Sequence, residues 1–267
     1  MIAAHFQGPE SGGEVTDHLN SIAAAARDAA AAGARILITP EMSVTGYDIG
    51  AAVAKRAERA DGPIFVAIAE LARQHGLAVV YGFAERVDDV IYNAVSVVDA
   101  EGRRIGHYRK THLFGDLDRS QFAAGSVPVV QFAIGDLLCG LLICYDVEFP
   151  EAVRAHADNG TQWLIVPTGL MDPYGFVADT VIPARAYENQ MFVSYVNRCG
   201  RERELVYAGR SCVYAPDGGE LARADRTQRL LVCDLDSARL HRSRRVNTHL
   251  DDRRRNLYVA SSQATGR

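Results

Sequence analysis

An α/β protein built on mixed sheets is what this sequence predicts, on three observations. Strand-like and helix-like stretches alternate along its 267 residues, the pattern of sheets that carry helices on their outer faces. Hairpin signals sit beside βαβ-like units, which requires sheets of mixed direction rather than one all-parallel sheet. No Pro/Ser/Gly-rich linker, composition break or internal repeat interrupts the chain, so residues 1–267 are expected to form a single domain. The pattern alone leaves the number of sheets open.

Residues 2–6 read as a short strand. The alanine-rich stretch from Val15 to about Ala32 predicts a helix, because alanine loses no side-chain freedom there. A β-rich segment, Ala34 to Thr39, runs into Pro40-Glu41 and a Gly46-Tyr47 turn. Ile64 to about His75 is amphipathic and closed by Gly76, a residue suited to the left-handed position after a helix. Leu77 to Phe83 is a strand, and 93–98 with 103–109 form a hairpin across Asp99-Ala100-Glu101-Gly102. A strand is expected near 128–133. Another covers the unbroken apolar run Leu137 to Cys144, which reads as a central strand buried on both faces. Pro150 and Glu151 open a helix to about Ala157. Strands at 163–168 and 191–197 bracket a helix over about 178–189. Short strands at 213–216 and 220–222 flank Asp217-Gly218-Gly219, and 230–235 is a further strand.

The formal charge of −4 excludes a strongly basic nucleic-acid surface. The arginines between 242 and 245 and between 253 and 255 are interleaved with Asp251 and Asp252 and read as a solvated or subunit-interface segment. The last 15 or so residues, on the same reading, are a tail or an interface segment. No apolar stretch approaches the roughly 18 residues of a membrane span, and the N-terminal residues lack the charged start and apolar core of a signal peptide. Five cysteines without regular spacing argue against a disulfide framework, so a reducing, cytoplasmic setting is expected. The eight histidines form no His-Glu-x-x-His or comparable cluster, and neither metal nor cofactor is expected.

Three strand ends carry the chemistry. Cys144 stands where an apolar strand meets a helix start, beside free backbone N–H groups that favour a thiolate and can hold an oxyanion. Glu41 ends one strand and Lys110 another. Glutamate, lysine and cysteine together make an acyl-transfer set of base, oxyanion clamp and nucleophile. Taken singly, strand-end Glu and Lys are ordinary surface charges, and most cysteines are small buried hydrophobes, which is how Cys139, Cys199, Cys212 and Cys233 are read. His112, near Lys110, suggests a competing Cys–His dyad, but a dyad would leave Glu41 and Lys110 without a task.

These segments resemble the carbon–nitrogen hydrolases of the nitrilase superfamily. The resemblance is carried by Pro40-Glu41 with Gly46-Tyr47, by Tyr108-Arg109-Lys110-Thr111-His112-Leu113-Phe114, by Leu142-Ile143-Cys144-Tyr145-Asp146 with Phe149-Pro150-Glu151, and by Asn197-Arg198. Lys110 lies 69 residues after Glu41 and Cys144 lies 34 after Lys110, similar to the family's spacing. The resemblance implies a four-layer α-β-β-α sandwich with two mixed sheets, assembled as a homodimer or larger homo-oligomer. It implies Glu41 as general base, Lys110 as oxyanion stabiliser and Cys144 as nucleophile, with the Tyr145 backbone N–H as a second oxyanion donor. The family's usual second glutamate after the lysine is matched by Asp118, shorter by one methylene or about 1.5 Å of reach, so the loop must move inward or a water must bridge; Asp116 is the lesser substitute.

Within the family, Gly169 to Gly175 and Ala184 to Gln190 look most like bacterial amidases acting on small amides, including stereoselective amino-acid amidases. The sequence Cys144-Tyr145-Asp146 departs from the Cys-Trp-Glu of true nitrilases. Val147 and Glu148 stand where N-carbamoyl amino-acid hydrolases tend to carry arginines. Glu148 would repel an anionic substrate if it faces the pocket, or else it serves a helix cap or salt bridge. Tyr47, Tyr145 and Tyr174 are candidate pocket residues, or core packing. The leading expectation is hydrolysis of a small neutral or cationic carboxamide to acid and ammonia through a cysteine thioester. Nitrile hydrolysis, N-carbamoyl-amine hydrolysis and a catalytically silent scaffold are the alternatives.

Overall fold

The computed structural model describes residues 1–10 and 12–257. Much of the C-terminal segment read as a tail or interface, 258–267, lies outside the described residues. The chain opens with β1 (Ile2–Gln7), α1 (Val15–Ala31) and β2 (Ile36–Ile38), followed by the short α2 (Ala52–Arg56), α3 (Pro63–His75), β3 (Ala78–Val87), β4 (Val90–Val98), β5 (Arg104–Arg109) and α4 (Gly115–Arg119). The second half holds β6 (Gln131–Ile134), β7 (Leu137–Leu141), a 3-10 turn at Cys144–Glu148, α5 (Pro150–Asp158), β8 (Trp163–Thr168), α6 (Ile182–Asn189) and β9 (Phe192–Asn197). It closes with β10 (Arg201–Glu202), β11 (Leu205–Val206), β12 (Cys212–Tyr214), β13 (Glu220–Arg223), β14 (Arg229–Asp234) and α7 (Ser237–Val246).

Two six-stranded mixed sheets form, in the orders β14-β1-β2-β3-β4-β5 and β13-β12-β9-β8-β7-β6. Each has three parallel strands at its centre or next to it, β1-β2-β3 and β7-β8-β9, with antiparallel strands on either side. Side chains on successive residues of a strand face opposite ways, and here both faces are buried. Ala3, Ile36, Ile38, Ala78 and Val80 join the cluster shared with the second sheet, whereas Ala4, Phe6, Leu37, Val79 and Tyr81 pack with α1 and α3. Ile22, Ala25, Ala26 and Ala29 of α1 and Ile64, Ile68 and Ala72 of α3 cover that outer face. The inter-sheet cluster continues through Cys139, Trp163 and Ile165 to Val153 of α5 and Ile182 and Ala186 of α6. The result is the α-β-β-α sandwich.

Polar groups also cross the layer between the sheets. His5 of β1 hydrogen-bonds Ser194 Oγ of β9 at 2.8 Å, and Trp163 Nε1 donates to the same oxygen at 2.9 Å. Burial pushes His5 down to about 4, so the ring stays neutral in the core.

Several sequence expectations are corrected here. The Cys144 run does not remain a strand: β7 stops at Leu141, Ile143 is still extended, and Cys144 starts the 3-10 turn. β7 is also second from the sheet edge rather than central, yet α5, α6 and the opposing sheet keep it buried. The helix expected over 178–189 begins as a wider π-type turn at Val177–Val181. The arginine-rich stretch around 242–245 is helical in α7, capped by Asp236, whose carboxylate accepts from Ala238 N at 2.9 Å. Arg244 reaches back to the Gln190 carbonyl at 3.1 Å, and Arg253 meets Asp158 at 2.5 Å. Among the described residues, no helix is long and apolar enough to cross a membrane.

Candidate active site

Strand direction brings the first two candidates together. β5 runs antiparallel to β4, which runs antiparallel to β3, so β5 points the same way as β2. Glu41, beyond β2, and Lys110, directly after β5, therefore leave the sheet at the same end. Both side chains are fully buried, and Lys110 Nζ donates to Glu41 Oε1 at 2.7 Å. Gly82 of β3 lets the Glu41 turn lie close, since a Cβ there would come within 2.4 Å of the Met42 nitrogen.

Asp118 completes the group from α4. Its Oδ2 accepts from Lys110 Nζ at 2.7 Å and from the Phe114 N–H at 2.8 Å, while Oδ1 accepts from the Tyr47 hydroxyl at 2.7 Å. The shorter side chain thus reaches the lysine directly, because the helical turn of α4 carries it inward; no bridging water is needed. Asp116 stays in the first turn of α4 and has no part in this network. The sequence reading passed over Asn93, whose side-chain amide donates to Glu41 Oε1 at 2.7 Å from β4. Its place opposite Ala84 in the β3–β4 ladder is what aims it there, and that register is not visible in the sequence.

Burial pushes the Glu41 carboxyl up, against the pull of the Lys110 ammonium. Burial alone would lower Lys110, but the Glu41 and Asp118 carboxylates hold it well above its ordinary value. The ammonium therefore stays charged, and Glu41 is the group able to exchange a proton. Its second oxygen, Oε2, has no hydrogen-bond partner.

Cys144 faces this group across Gly169. A side chain at 169 would come within 3.0 Å of Glu41 Oε2. Cys144 has φ of +47°, a strained value for a residue with a side chain, at the start of the 3-10 turn. Asp146 N donates to the Ile143 carbonyl at 3.0 Å, whereas the Tyr145 N–H at the start of the turn has no intrahelical acceptor and is free to meet an anion. Burial, reinforced by Glu41, pushes the Cys144 thiol up, with Lys110 opposing. At neutral pH Cys144 therefore rests as a thiol.

Asp146 ties the Cys144 turn to the Lys110 loop. Its Oδ2 accepts from the Tyr108 hydroxyl at 2.9 Å and from Ile143 N at 3.1 Å, and its Oδ1 accepts from Thr111 Oγ1 at 2.9 Å and His112 N at 2.8 Å. His112 Nδ1 lies 2.7 Å from the same Oδ1, and its ring stacks on Phe149 at 4.0 Å. His112 is thereby part of this strap, which removes the geometric basis for a Cys–His dyad. The loop after Glu41 is fixed by Glu202, which accepts from the N–H groups of Tyr47 and Asp48 at 3.1 and 2.8 Å and pairs with buried Arg198 at 3.1 Å. Arg198 Nη1 donates in turn to the Met42 carbonyl at 3.1 Å.

A cavity of about 260 Å³ opens over the thiol, lined by Cys144, Tyr47, Phe114, Tyr145, Glu148 and Tyr174 among others. All the pocket candidates from the sequence lie on its wall. Phe114 and the apolar Leu170, Met171 and Phe176 were missed, because nothing in their local pattern separates a cavity wall from a core.

The sequence model of the family described as carbon-nitrogen hydrolase matches residues 2–245. The chain belongs to the carbon-nitrogen hydrolase family. Relatives within reach of this hydrolase include a "Hydrolase in pqqF 5'region" from Pseudomonas protegens, 45% identical over 97% of this chain and 90% of that protein. An (R)-stereoselective amidase from Pseudomonas sp. is 41% identical over 88% of this chain and 84% of its own length. A solved structure of a mutant amidase from Nesterenkonia sp. AN1, showing the result of Michael addition of acrylamide at the active-site cysteine, superposes with a TM-score of 0.87 at 31% identity, covering 96% of this chain and 98% of that one. The two flanked mixed sheets of this carbon-nitrogen hydrolase are thus those of nitrilase-superfamily amidases, and the chain is an enzyme of that superfamily.

Proposed function

We propose that this enzyme hydrolyses a small neutral or cationic carboxamide to the carboxylic acid and ammonia, with Glu41, Lys110 and Cys144 as its catalytic groups. The observation that carries the reading is the buried Lys110 ammonium held at 2.7 Å from both Glu41 and Asp118, with Asp118 bonded to Tyr47, which shares the wall of a cavity with Cys144. The likeness to named amidases supports the reaction class.

In the first half-reaction Glu41 Oε2 takes the Cys144 proton as sulfur attacks the amide carbon. Charge moves onto the carbonyl oxygen, where Lys110 Nζ and the Tyr145 N–H stabilise it; loss of one such donor costs on the order of 100-fold or more. The C–N bond breaks as protonated Glu41 gives its proton to the departing nitrogen, and a thioester remains on Cys144. In the second half Glu41 deprotonates a water, which attacks the thioester. The C–S bond then breaks and the proton returns to sulfur. Asp118 keeps Lys110 charged and aimed, with Tyr47 steadying Asp118. Homodimeric or larger assembly, a single domain over 1–267 and a cytoplasmic setting belong to the same proposal.

The test is ammonia release from matched amides, nitriles and N-carbamoyl compounds, with Cys144→Ala beside the wild type. Amide turnover lost in the variant is the expected result. A nitrile turned over faster than its amide, or amide turnover that survives Cys144→Ala, overturns the reading.

A further inference from the structure

Glu148 is the charged side chain on the cavity wall, and burial pushes its carboxyl up against the pull of two cations, Lys110 and Arg185. Both are committed elsewhere: Lys110 pairs with Glu41 and Asp118 at 2.7 Å, and Arg185 donates to the carbonyl oxygens of Val147 and Glu148 at 3.0 and 2.9 Å and pairs with Glu188 at 2.9 Å. Glu148 precedes α5, yet among the described hydrogen bonds it accepts from none of that helix's N–H groups, so a capping role does not account for it. Glu148 instead lines the same cavity as Cys144.

Aromatic rings make up much of the rest of that wall. Phe114 meets Tyr145 edge-on at 5.3 Å and Tyr174 edge-on at 5.9 Å, and Phe176 lines the same cavity. Ring faces beside a carboxylate form a good environment for an ammonium, through the quadrupole of the rings and the charge of the acid. The fixed charges deeper in the site point the same way, with Glu41 and Asp118 set against the single ammonium of Lys110. A substrate carboxylate entering here meets repulsion, and a protonated amine meets complementary charge.

We propose that Glu148 makes this enzyme selective for amides whose acyl part carries a protonated amine, the ammonium seating between the Glu148 carboxylate and the rings of Tyr145 and Tyr174. This rests on the amidase reading above and narrows its substrate class. The cavity of about 260 Å³ suits an acyl group of a few carbons, such as that of a small α-amino amide.

The experiment compares alaninamide with isobutyramide, its neutral isostere, at pH 7, where an α-amino group of pKa roughly 8 is mostly protonated. Wild-type kcat/KM is expected to favour alaninamide by about tenfold or more, and Glu148→Gln is expected to shrink that ratio by about tenfold, chiefly through the KM of alaninamide. Glu148→Ala provides a second variant, and circular-dichroism melting verifies that each is folded. A wild-type ratio near one, or a ratio that both folded variants leave unchanged, overturns the proposal. If neither amide is hydrolysed, the amidase reading fails by itself, and calorimetry on Cys144→Ala decides the charge question separately. Tighter binding of alaninamide than of isobutyramide then supports the role of Glu148; equal binding, or none, overturns it.

Discussion

Asp118 Oδ2 and Lys110 Nζ lie 2.7 Å apart in a site from which both side chains are closed to solvent. The aspartate balances a charge that burial would otherwise disfavour and fixes the ammonium between two carboxylates. Its other oxygen holds Tyr47, so one carboxylate sets both the lysine and a wall of the cavity.

Asp118→Asn is therefore expected to lower kcat by about 100-fold while leaving the fold intact, since it removes charge and keeps shape. Asp118→Ala leaves Tyr47 Oη and the Phe114 N–H unpaired and is expected to cost about 1–3 kcal/mol besides. Single-turnover kinetics and denaturant titration of the two variants separate these effects.

Lys110 and His112 make opposite predictions. Lys110→Ala is expected to lose on the order of 100-fold or more in kcat through the oxyanion and the Glu41 pair. His112→Ala is expected to lose less than about tenfold, because its ring serves the Asp146 strap rather than the thiol. A loss below tenfold for the lysine variant would remove Lys110 from its assigned role.

Since burial and the Glu41 charge push the Cys144 thiol up, little thiolate exists in the resting enzyme at neutral pH. The rate of iodoacetamide alkylation of Cys144, followed by mass spectrometry, is expected to rise continuously with pH. A plateau below pH 8 would indicate a preformed thiolate and contradict the need for Glu41 as base.

Stability against acid depends on a carboxylate outside the site. Burial would raise Glu85, but hydrogen bonds from Arg109 and His107 overcome it and bring the carboxyl down to about 2. The folded value lies below the unfolded one, so the stabilisation is fully present above about pH 4.5 and is lost as pH falls toward 2. With allowance for solvent screening at its partly wet rim, Glu85→Gln is expected to cost about 1–2 kcal/mol at pH 7. That cost should fall to about a quarter near pH 2.5 in urea melts at each pH.

Legibility followed the range of the interactions involved. The α1 and α3 helices could be read because alanine content and amphipathic spacing are local, and Gly76 takes the left-handed geometry its position required, with φ of +63°. The end of β7 could not be read, since the apolar run continues through Leu142 and Ile143 while strand pairing stops at Leu141. α7 was hidden because its charged surface offers little periodicity and Leu240 is its one fully buried apolar residue. Asn93 and Phe114 acquire their places in the site from strand register and loop packing, neither of which leaves a local mark.

By itself the sequence determined which chemistry is present: a cysteine at a strand-to-helix turn, and a glutamate and a lysine at two other strand ends, within motifs of one hydrolase family. It determined these because residue type and strand-end position are written in short segments. The tertiary structure alone decided that Asp118 reaches Lys110 directly, that His112 belongs to Asp146, and that Glu148 lines the cavity. Those outcomes depend on how distant segments meet, and at such separations a shift of one methylene or one helical turn decides which atoms touch.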